Sequence, residues 1–321
     1  MAEPVIQAEH LVKEFPVASG KLGAPKKVLH ALSGVSLAVD QGEIFGVVGE
    51  SGCGKSTLGR CLLRLETITG GSVHFRGQDI TKWSGGQLLP LRRNMQMIFQ
   101  NPYASFDPKQ KIGAALREVA RVHHMPVQEA EERILSLLRD INLAEDTLHR
   151  VPSEMSGGQL QRLAIARALL LNPAFIVADE PVSALDVSVQ AQILNLMLDL
   201  REKFSLTMLF ISHEMSVVRH VCDKVAVMYL GTVVELAETE ELFGNLLHPY
   251  SQSLMSSIPT LDPARRKART VLEGDIPSAI DLPPGCPFAD RCPKCEARCR
   301  ETRPELKDAG GGHLVACHLA E

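Results

Sequence analysis

Gly49-Glu50-Ser51-Gly52-Cys53-Gly54-Lys55-Ser56 matches G-x-x-x-x-G-K-[S/T] at every fixed position and lies between a strand-like run, Ile44 to Val48, and a helix-like run from Thr57. Strand, glycine-rich loop and helix in that order make a cradle for nucleotide phosphates. The glycines let the backbone curl so that successive N–H groups converge on the β- and γ-phosphates. Lys55 supplies a mobile cation, and the Ser56 hydroxyl can ligate Mg²⁺. A glycine-rich turn that binds nothing has no need of Lys-Ser directly after its last glycine.

Outward from the loop, Val5 to Phe15 and Val35 to Val39 alternate like strands of a half-exposed sheet, with a Gly/Lys/Pro loop from Ser19 to Lys27 between them. Thr57 to Leu65 reads as a helix, Ser72 to Phe75 and Met95 to Phe99 as strands, and Ile112 to Leu170 as mostly helical. Strand character returns in Ala174 to Ala178, an amphipathic helix follows from Val189 to Phe204, and Thr207 to Ile211 reads as a buried strand. Lys224 to Tyr229 with Thr232 to Glu235 predicts a terminal hairpin. Strand and helix alternating around a phosphate loop imply a parallel-sheet α/β core, with a separate helical subdomain at about 101–170.

The 321 residues, 45% of them apolar, suit one large domain plus an appendage. A formal charge of −4 disfavours nucleic acid as a partner, and Arg265, Arg266, Lys267 and Arg269 read as a solvated turn. No apolar run approaches a membrane span, and Met1-Ala2-Glu3-Pro4 lacks the features of a signal peptide. The expected location is the cytoplasm, with any membrane role exercised through a partner. Cys53, Cys61 and Cys222 are scattered, whereas Cys286, Cys292, Cys295, Cys299 and Cys317 crowd the C-terminal end. In a reducing compartment such crowding points to metal before disulfide.

Three further sites sharpen the picture. Phe175 to Ala178 is an apolar strand that delivers Asp179 and Glu180, one suited to a Mg²⁺ shell and the other to an attacking water. Ser156-Gly157-Gly158-Gln159 opens a helix whose N-terminal amides suit an anionic phosphate. His213 follows the strand Thr207 to Ile211. An earlier copy of the tetrapeptide, Ser84 to Gln87, is followed by Leu88-Leu89-Pro90 and is expected to be a surface turn, because proline interrupts a helix start.

Taken together these motifs resemble the ATP-binding subunits of ABC transporters, and the resemblance spans residues 5 to about 240. It implies an α/β P-loop NTPase (RecA-like) core with an antiparallel β-subdomain and an inserted helical subdomain. It also implies ATP and Mg²⁺ as cofactors, with ATP contacts along Gly49 to Thr57. Lys55 and Ser56 fall in its Walker A motif and Gln100 in its Q-loop. Ser156 to Gln159 form its signature, which serves the ATP of a partner subunit. Asp179 and Glu180 form Walker B, Asp186 falls in the D-loop, and His213 in the switch loop. Mg²⁺ would be met by Ser56, Gln100 and Asp179, and the catalytic residues would be Glu180, His213 and Lys55. Phe15 stands where the family stacks adenine, although position alone fits an ordinary core phenylalanine equally well. Met155 replaces the usual Leu at the head of the signature. One copy of each motif means half a machine: two such subunits would sandwich two ATP molecules head to tail.

Phe99-Gln100-Asn101-Pro102-Tyr103, Leu247-His248-Pro249-Tyr250, Gly285-Cys286-Pro287-Phe288 with Arg291-Cys292, and His313 to His318 resemble the oligopeptide/dipeptide importer branch, closest to its F-type subunit. Nickel, glutathione and other small-solute importers share much of this pattern. The division expected is an ATPase domain at 1–245 and a cysteine-rich extension at 246–321 lying outside the nucleotide core. The resemblance implies two permease subunits, an extracytoplasmic solute-binding protein, a second ATPase subunit, and a place on the cytoplasmic face of the inner membrane. It aligns Cys286, Cys292, Cys299 and Cys317 with the ligands of a [4Fe–4S] cluster. The spacing of the thiols by itself leaves a cluster, a Cys₄ zinc site and no metal open. A chromosome-maintenance ATPase would need a long coiled coil where only about a hundred residues separate Walker A from the signature. A translation-factor ATPase would usually carry two cassettes.

Overall fold

The computed structural model describes residues 3–17, 27–256 and 277–320. Most of the loop expected from Ser19 to Lys27, and the basic run Arg265 to Arg269, lie outside these residues. Two compact units divide the chain, one comprising Met1–Ile6, Val39–Ile44 and Lys82–Ile211, the other Gln7–Ala38, Phe45–Thr81 and Ser212–Glu321.

The first unit is built on three parallel strands. Met95–Ile98 pairs with Phe175–Asp179, which pairs with Met208–Ser212, in the registers Met97↔Val177 and Val177↔Leu209. The last two strands are buried at all five positions. That is why they read as unbroken apolar runs: a parallel strand covered on both faces has no polar side to alternate with. The stretch expected to be helical contains the helices Ile112–Val122, Val127–Asp140 and Gly157–Leu169. Arg133, on the second of these, donates from Nε to the Leu170 carbonyl and from Nη2 to the Leu169 carbonyl, both at 2.9 Å. A cation thus meets the C-terminal carbonyls that a helix leaves unpaired. Val187–Phe204 runs for 18 residues and ends where Ser205 turns left-handed, φ +50°.

The Ser84–Gln87 copy is a helix start and not the surface turn expected of it. Ser84 N–H donates to Gln87 Oε1 at 2.9 Å, and Gly85–Leu88 is a four-residue helix. Pro90 falls in the first turn of the 3₁₀ segment Leu89–Arg93, where its missing N–H has no acceptor to lose. The proline shortens the helix without preventing it.

The second unit holds a four-stranded sheet in the order Lys27–Val39, Ile6–Val17, Gly70–Phe75, Gln78–Asp79. It also contains the phosphate-loop strand Ile44–Val48, which pairs in parallel with Lys224–Tyr229 in the register Val47↔Ala226. Lys224–Tyr229 forms the expected antiparallel hairpin with Thr232–Glu238. That hairpin is not terminal. Leu314–Val315 adds antiparallel to it, with Glu235 opposite Val315, and Lys307–Asp308 adds beyond. Residues from the C-terminal stretch therefore cover an edge that would otherwise offer unpaired backbone groups. Among the described residues no helix is long and apolar enough to cross a membrane.

Candidate nucleotide site

In the second unit the chain leaves the buried strand Ile44–Val48, turns through the loop, and enters the helix Lys55–Leu62. Two of the glycines are dictated by their neighbours. A Cβ on Gly49 would lie 2.2 Å from the Met228 carbonyl oxygen, and one on Gly54, whose φ is +106°, would lie 2.4 Å from that of Ala31. Gly231 N–H donates to the Cys53 carbonyl at 2.9 Å, fastening the loop to the hairpin turn. Lys55 is buried, its Nζ donating to the carbonyls of Gly49 at 2.8 Å and Glu50 at 3.0 Å. Ser51 and Gly52 are exposed at the crest, Ser56 and Thr57 are half-buried, and Cys53 is buried, with burial raising its thiol pKa. A cation, a curled backbone and a helix N-terminus converge there, which is the chemistry a polyphosphate needs.

Also in this unit, His213 is exposed, with Nε2 3.8 Å from Glu214 Oε1. Phe15 is half-buried near the end of its strand, and Lys13 Nζ lies 4.4 Å from its ring centroid. Lys13 is held there by Thr67 Oγ1 at 3.0 Å and Glu66 at 3.4 Å.

The first unit carries the other motifs. Asp179 is buried at the end of its strand and Glu180 is half-buried beside it. Glu180 sits at φ +47°, a region that side chains other than glycine adopt at a cost, and its N–H is tied to the Ile211 carbonyl at 3.0 Å. Gln100 Nε2 donates to Glu180 Oε2 at 2.9 Å and to Ser183 Oγ at 3.3 Å. The sequence thus places Gln100 and Glu180 in one cluster although 80 positions separate them. Ser156 caps the helix Gly157–Leu169 reciprocally: Gln159 N–H donates to Ser156 Oγ at 3.3 Å and Ser156 N–H to Gln159 Oε1 at 3.0 Å. A Cβ on Gly158 would come within 2.6 Å of Val189 Cγ1, so this glycine permits the close approach of the Val187–Phe204 helix. Asp186 is exposed at the head of that helix, its carbonyl accepting from Val189 and Gln190 N–H at 2.9 and 2.8 Å.

Two family models match the chain. The one described as ABC transporter matches residues 32–183, and the one described as Oligopeptide/dipeptide transporter, C-terminal region, matches residues 234–299. The oligopeptide transport ATP-binding protein AppF of Bacillus subtilis is 47% identical over 99% of this chain and 98% of its own length. The dipeptide transport ATP-binding protein DppF of Escherichia coli is 45% identical over 100% of this chain and 96% of its own. The chain belongs to the ABC transporter family. Within it, the chain is an ATP-binding subunit of the oligopeptide/dipeptide transporter type.

The solved ATP-binding cassette MJ0796, in a dimeric post-hydrolysis state with ADP and Pi, is 27% identical with a TM-score of 0.63 over 73% of this chain and 98% of that one. CbiO1 from Clostridium perfringens, part of the cbiONQ ABC transporter complex, shares the fold at 24% identity with a TM-score of 0.66 over 76% and 92% of the two chains. The fold is therefore the α/β ABC ATPase cassette, and the subunit is an ATPase.

In this ABC subunit the C-terminal stretch does not lie apart from the phosphate loop, contrary to the sequence-based expectation. Arg291 donates from Nη1 and Nη2 to the two Glu50 carboxylate oxygens at 2.7 and 3.0 Å, and Glu50 N–H donates to Tyr250 Oη at 2.8 Å. The Leu247-His248-Pro249-Tyr250 motif has a structural task here. Buried Glu235 accepts from Leu247 N–H at 2.7 Å, His248 N–H at 3.1 Å and His313 Nε2 at 2.8 Å. His248 Nδ1 accepts from Tyr250 N–H at 3.0 Å, and burial pushes the imidazole pKa down to about 3, so the ring stays neutral. Sequence reasoning missed Glu235, Arg291 as a contact and Tyr250 as an acceptor. The motifs around Tyr250 and Arg291 gave a family signal but none of these contacts, and Glu235 gave no signal at all.

Cys286, Cys292, Cys299 and Cys317 line a single pocket with His248, Phe288 and His318. Cys295 is not among the lining residues, and its thiol rests 3.5 Å from the Glu296 carbonyl. Leu319 N–H donates to Cys317 Sγ at 3.4 Å, and Cys286 N–H to the Cys299 carbonyl at 2.7 Å. Burial pushes the Cys286 thiol up to about 11, and the neighbouring thiols add to that shift. Among the described residues no three His, Cys, Asp or Glu side chains gather tightly enough to hold a single metal ion.

Proposed function

We propose that this ABC ATPase powers the import of oligopeptides or dipeptides. It would act at the cytoplasmic face of the inner membrane with a second ATPase subunit, two permease subunits and an extracytoplasmic solute-binding protein. The observation that carries this reading is similarity at 45–47% identity along essentially the whole length of an oligopeptide and a dipeptide transport ATP-binding protein, C-terminal extension included. In this reading residues 1–245 are the ATPase domain, with the helical subdomain at about 101–170, and 246–321 the extension.

Gly49 to Thr57 hold ATP, with Lys55 on the phosphates; Ser56, Gln100 and Asp179 meet Mg²⁺. Glu180 polarises the attacking water and His213 bridges water and γ-phosphate. Ser156 to Gln159 address the ATP held by the partner subunit, beside Asp186. Phe15 stacks adenine. Hydrolysis by the purified chain tests the reading. It is expected to be slow for the chain alone and several-fold faster once the chain is assembled with permeases and a peptide-loaded binding protein. Full activity from a demonstrated monomer would contradict the shared-site mechanism.

We infer further that Cys286, Cys292, Cys299 and Cys317 hold a [4Fe–4S] cluster. The four thiols on one pocket, the amide directed at Cys317 Sγ and the exclusion of Cys295 all support it. When bound, the cluster supplies folding free energy to a segment with little core of its own. Anaerobically purified protein is expected to be brown, with iron and sulfide at about four each per chain. Serine at any of the four positions should remove the iron, and Cys295→Ser should retain it. Colourless protein with stoichiometric zinc, or iron lost in Cys295→Ser and kept in Cys299→Ser, would overturn the ligand assignment.

A further inference from the structure

Glu50 is held at three points. Its N–H reaches Tyr250 Oη at 2.8 Å, its carboxylate is gripped by both terminal nitrogens of Arg291 at 2.7 and 3.0 Å, and its carbonyl accepts from Lys55 Nζ at 3.0 Å. The next two residues of the loop, Ser51 and Gly52, are exposed. Glu50 is therefore the point at which the phosphate loop is anchored to chain some 200 residues and more away in sequence.

The anchor is mostly buried. Arg291 is 7% exposed in its side chain and Glu50 23%. Arg291 closes the 3₁₀ turn Ala289–Arg291, which follows Phe288. Tyr250 and Phe288 each pack edge to face with Tyr229, at 4.7 and 5.3 Å between ring centroids, and lie tilted against each other at 5.3 Å. Arg291 Nη1 also lies 3.4 Å from Tyr229 Oη, while its Nε meets no acceptor among the described residues. The guanidinium is thus oriented by its grip on Glu50, and the aromatic cluster fixes the turn that carries it.

Taking such a pair out of water is costly, and an apolar contact would be at least as stable, so its presence calls for a reason. Electrostatics supplies one. A carboxylate within a loop that binds a polyphosphate repels the ligand, and a bidentate guanidinium removes that repulsion while fixing the loop backbone. Tyr250 fixes the same residue from the amide side, and burial keeps its phenol protonated and neutral.

We propose that Arg291 and Tyr250 are positioning residues of the nucleotide site. Through Glu50 they hold the phosphate loop in the form that receives ATP and neutralise the one acidic side chain in it, which makes the C-terminal extension a brace of the ATPase core. The proposal rests on the reading of Gly49 to Ser56 as the ATP cradle, so its test includes a variant of the cradle itself.

ATP titration of the full-length chain, with thermal midpoints recorded alongside, tests it. Arg291→Gln leaves the Glu50 carboxylate facing the phosphates and is expected to weaken ATP binding roughly tenfold. The double variant Glu50→Gln/Arg291→Gln removes both charges and is expected to recover affinity to within about threefold of wild type, a rescue that loss of structure alone would not give. Wild-type affinity in Arg291→Gln, or a double variant as weak as the single one, would overturn the brace. If Arg291→Gln fails to fold, Tyr250→Phe decides, because it keeps the ring and loses only the acceptor: about threefold weaker binding supports the proposal, and unchanged binding overturns it. Lys55→Ala separates the two levels. ATP binding that survives it overturns the cradle and the brace together, whereas binding lost there but untouched in Arg291→Gln overturns the brace alone.

Discussion

Glu180→Gln is expected to lower ATP turnover by roughly a thousandfold or more while leaving ATP binding intact. Glutamine has almost the shape of glutamate, and its carbonyl oxygen can still accept the Gln100 Nε2 hydrogen bond seen at 2.9 Å. The backbone at φ +47°, held by the Ile211 carbonyl, has no reason to change. What disappears is the negative charge that polarises the attacking water. Binding and closure depend on the phosphate clamp and the signature helix, so the variant should accumulate as an ATP-bound closed dimer when the partner ATPase is present. Hydrolysis assays together with ATP-dependent sedimentation measure both halves; undiminished turnover would remove Glu180 from its assigned role.

Lys55→Ala is expected to act one step earlier, weakening ATP affinity by about a hundredfold. In the structure the ammonium is buried and held by the carbonyls of Gly49 and Glu50, poised within the loop. Alanine removes the cation that meets the phosphates and leaves those two carbonyls without their donor. Equilibrium titration checks the loss directly. The two variants should separate cleanly, one binding without turning over and the other failing to bind.

What the sequence revealed, and what it hid, follows the range of the interactions involved. The phosphate loop is a contiguous pattern whose residues are dictated by short-range sterics at Gly49 and Gly54, so it was legible. Phe175–Asp179 and Met208–Ser212 were legible because burial on both faces leaves an unbroken apolar run. Leu314–Val315 and Lys307–Asp308 are two residues each, too short for any periodicity, so the extra strands beside the hairpin were not foreseen. The two Ser-Gly-Gly-Gln copies show the limit of local pattern. Both start helices, because the Ser–Gln reciprocity is encoded in four residues, but only Gly157–Leu169 extends to 13 residues with a mostly buried apolar run behind it.

The candidate site divided in the same way. Gln100, Glu180 and Ser156 to Gln159 were singled out by motif, and Gln100 and Glu180 are joined by a hydrogen bond. The grip of Arg291 on Glu50 spans 241 positions and falls on a variable position of the loop motif, where no spacing rule applies. The expectation that the extension lies outside the nucleotide core failed for that reason. Cys286, Cys292, Cys299 and Cys317 line one pocket, but among the described residues no three metal-ligating side chains gather to hold an ion.

The central claim is that ATP hydrolysis at this subunit drives peptide uptake, and it is tested most directly by labelled-peptide accumulation in proteoliposomes. These would contain the assembled permeases, the partner ATPase and this chain, with the binding protein supplied outside and ATP inside. Uptake that requires ATP and the peptide-loaded binding protein, and that falls to background with Glu180→Gln, is the predicted result. Peptide uptake at the wild-type rate with Glu180→Gln, or ATP hydrolysis by the complete assembly with no peptide carried, would contradict it.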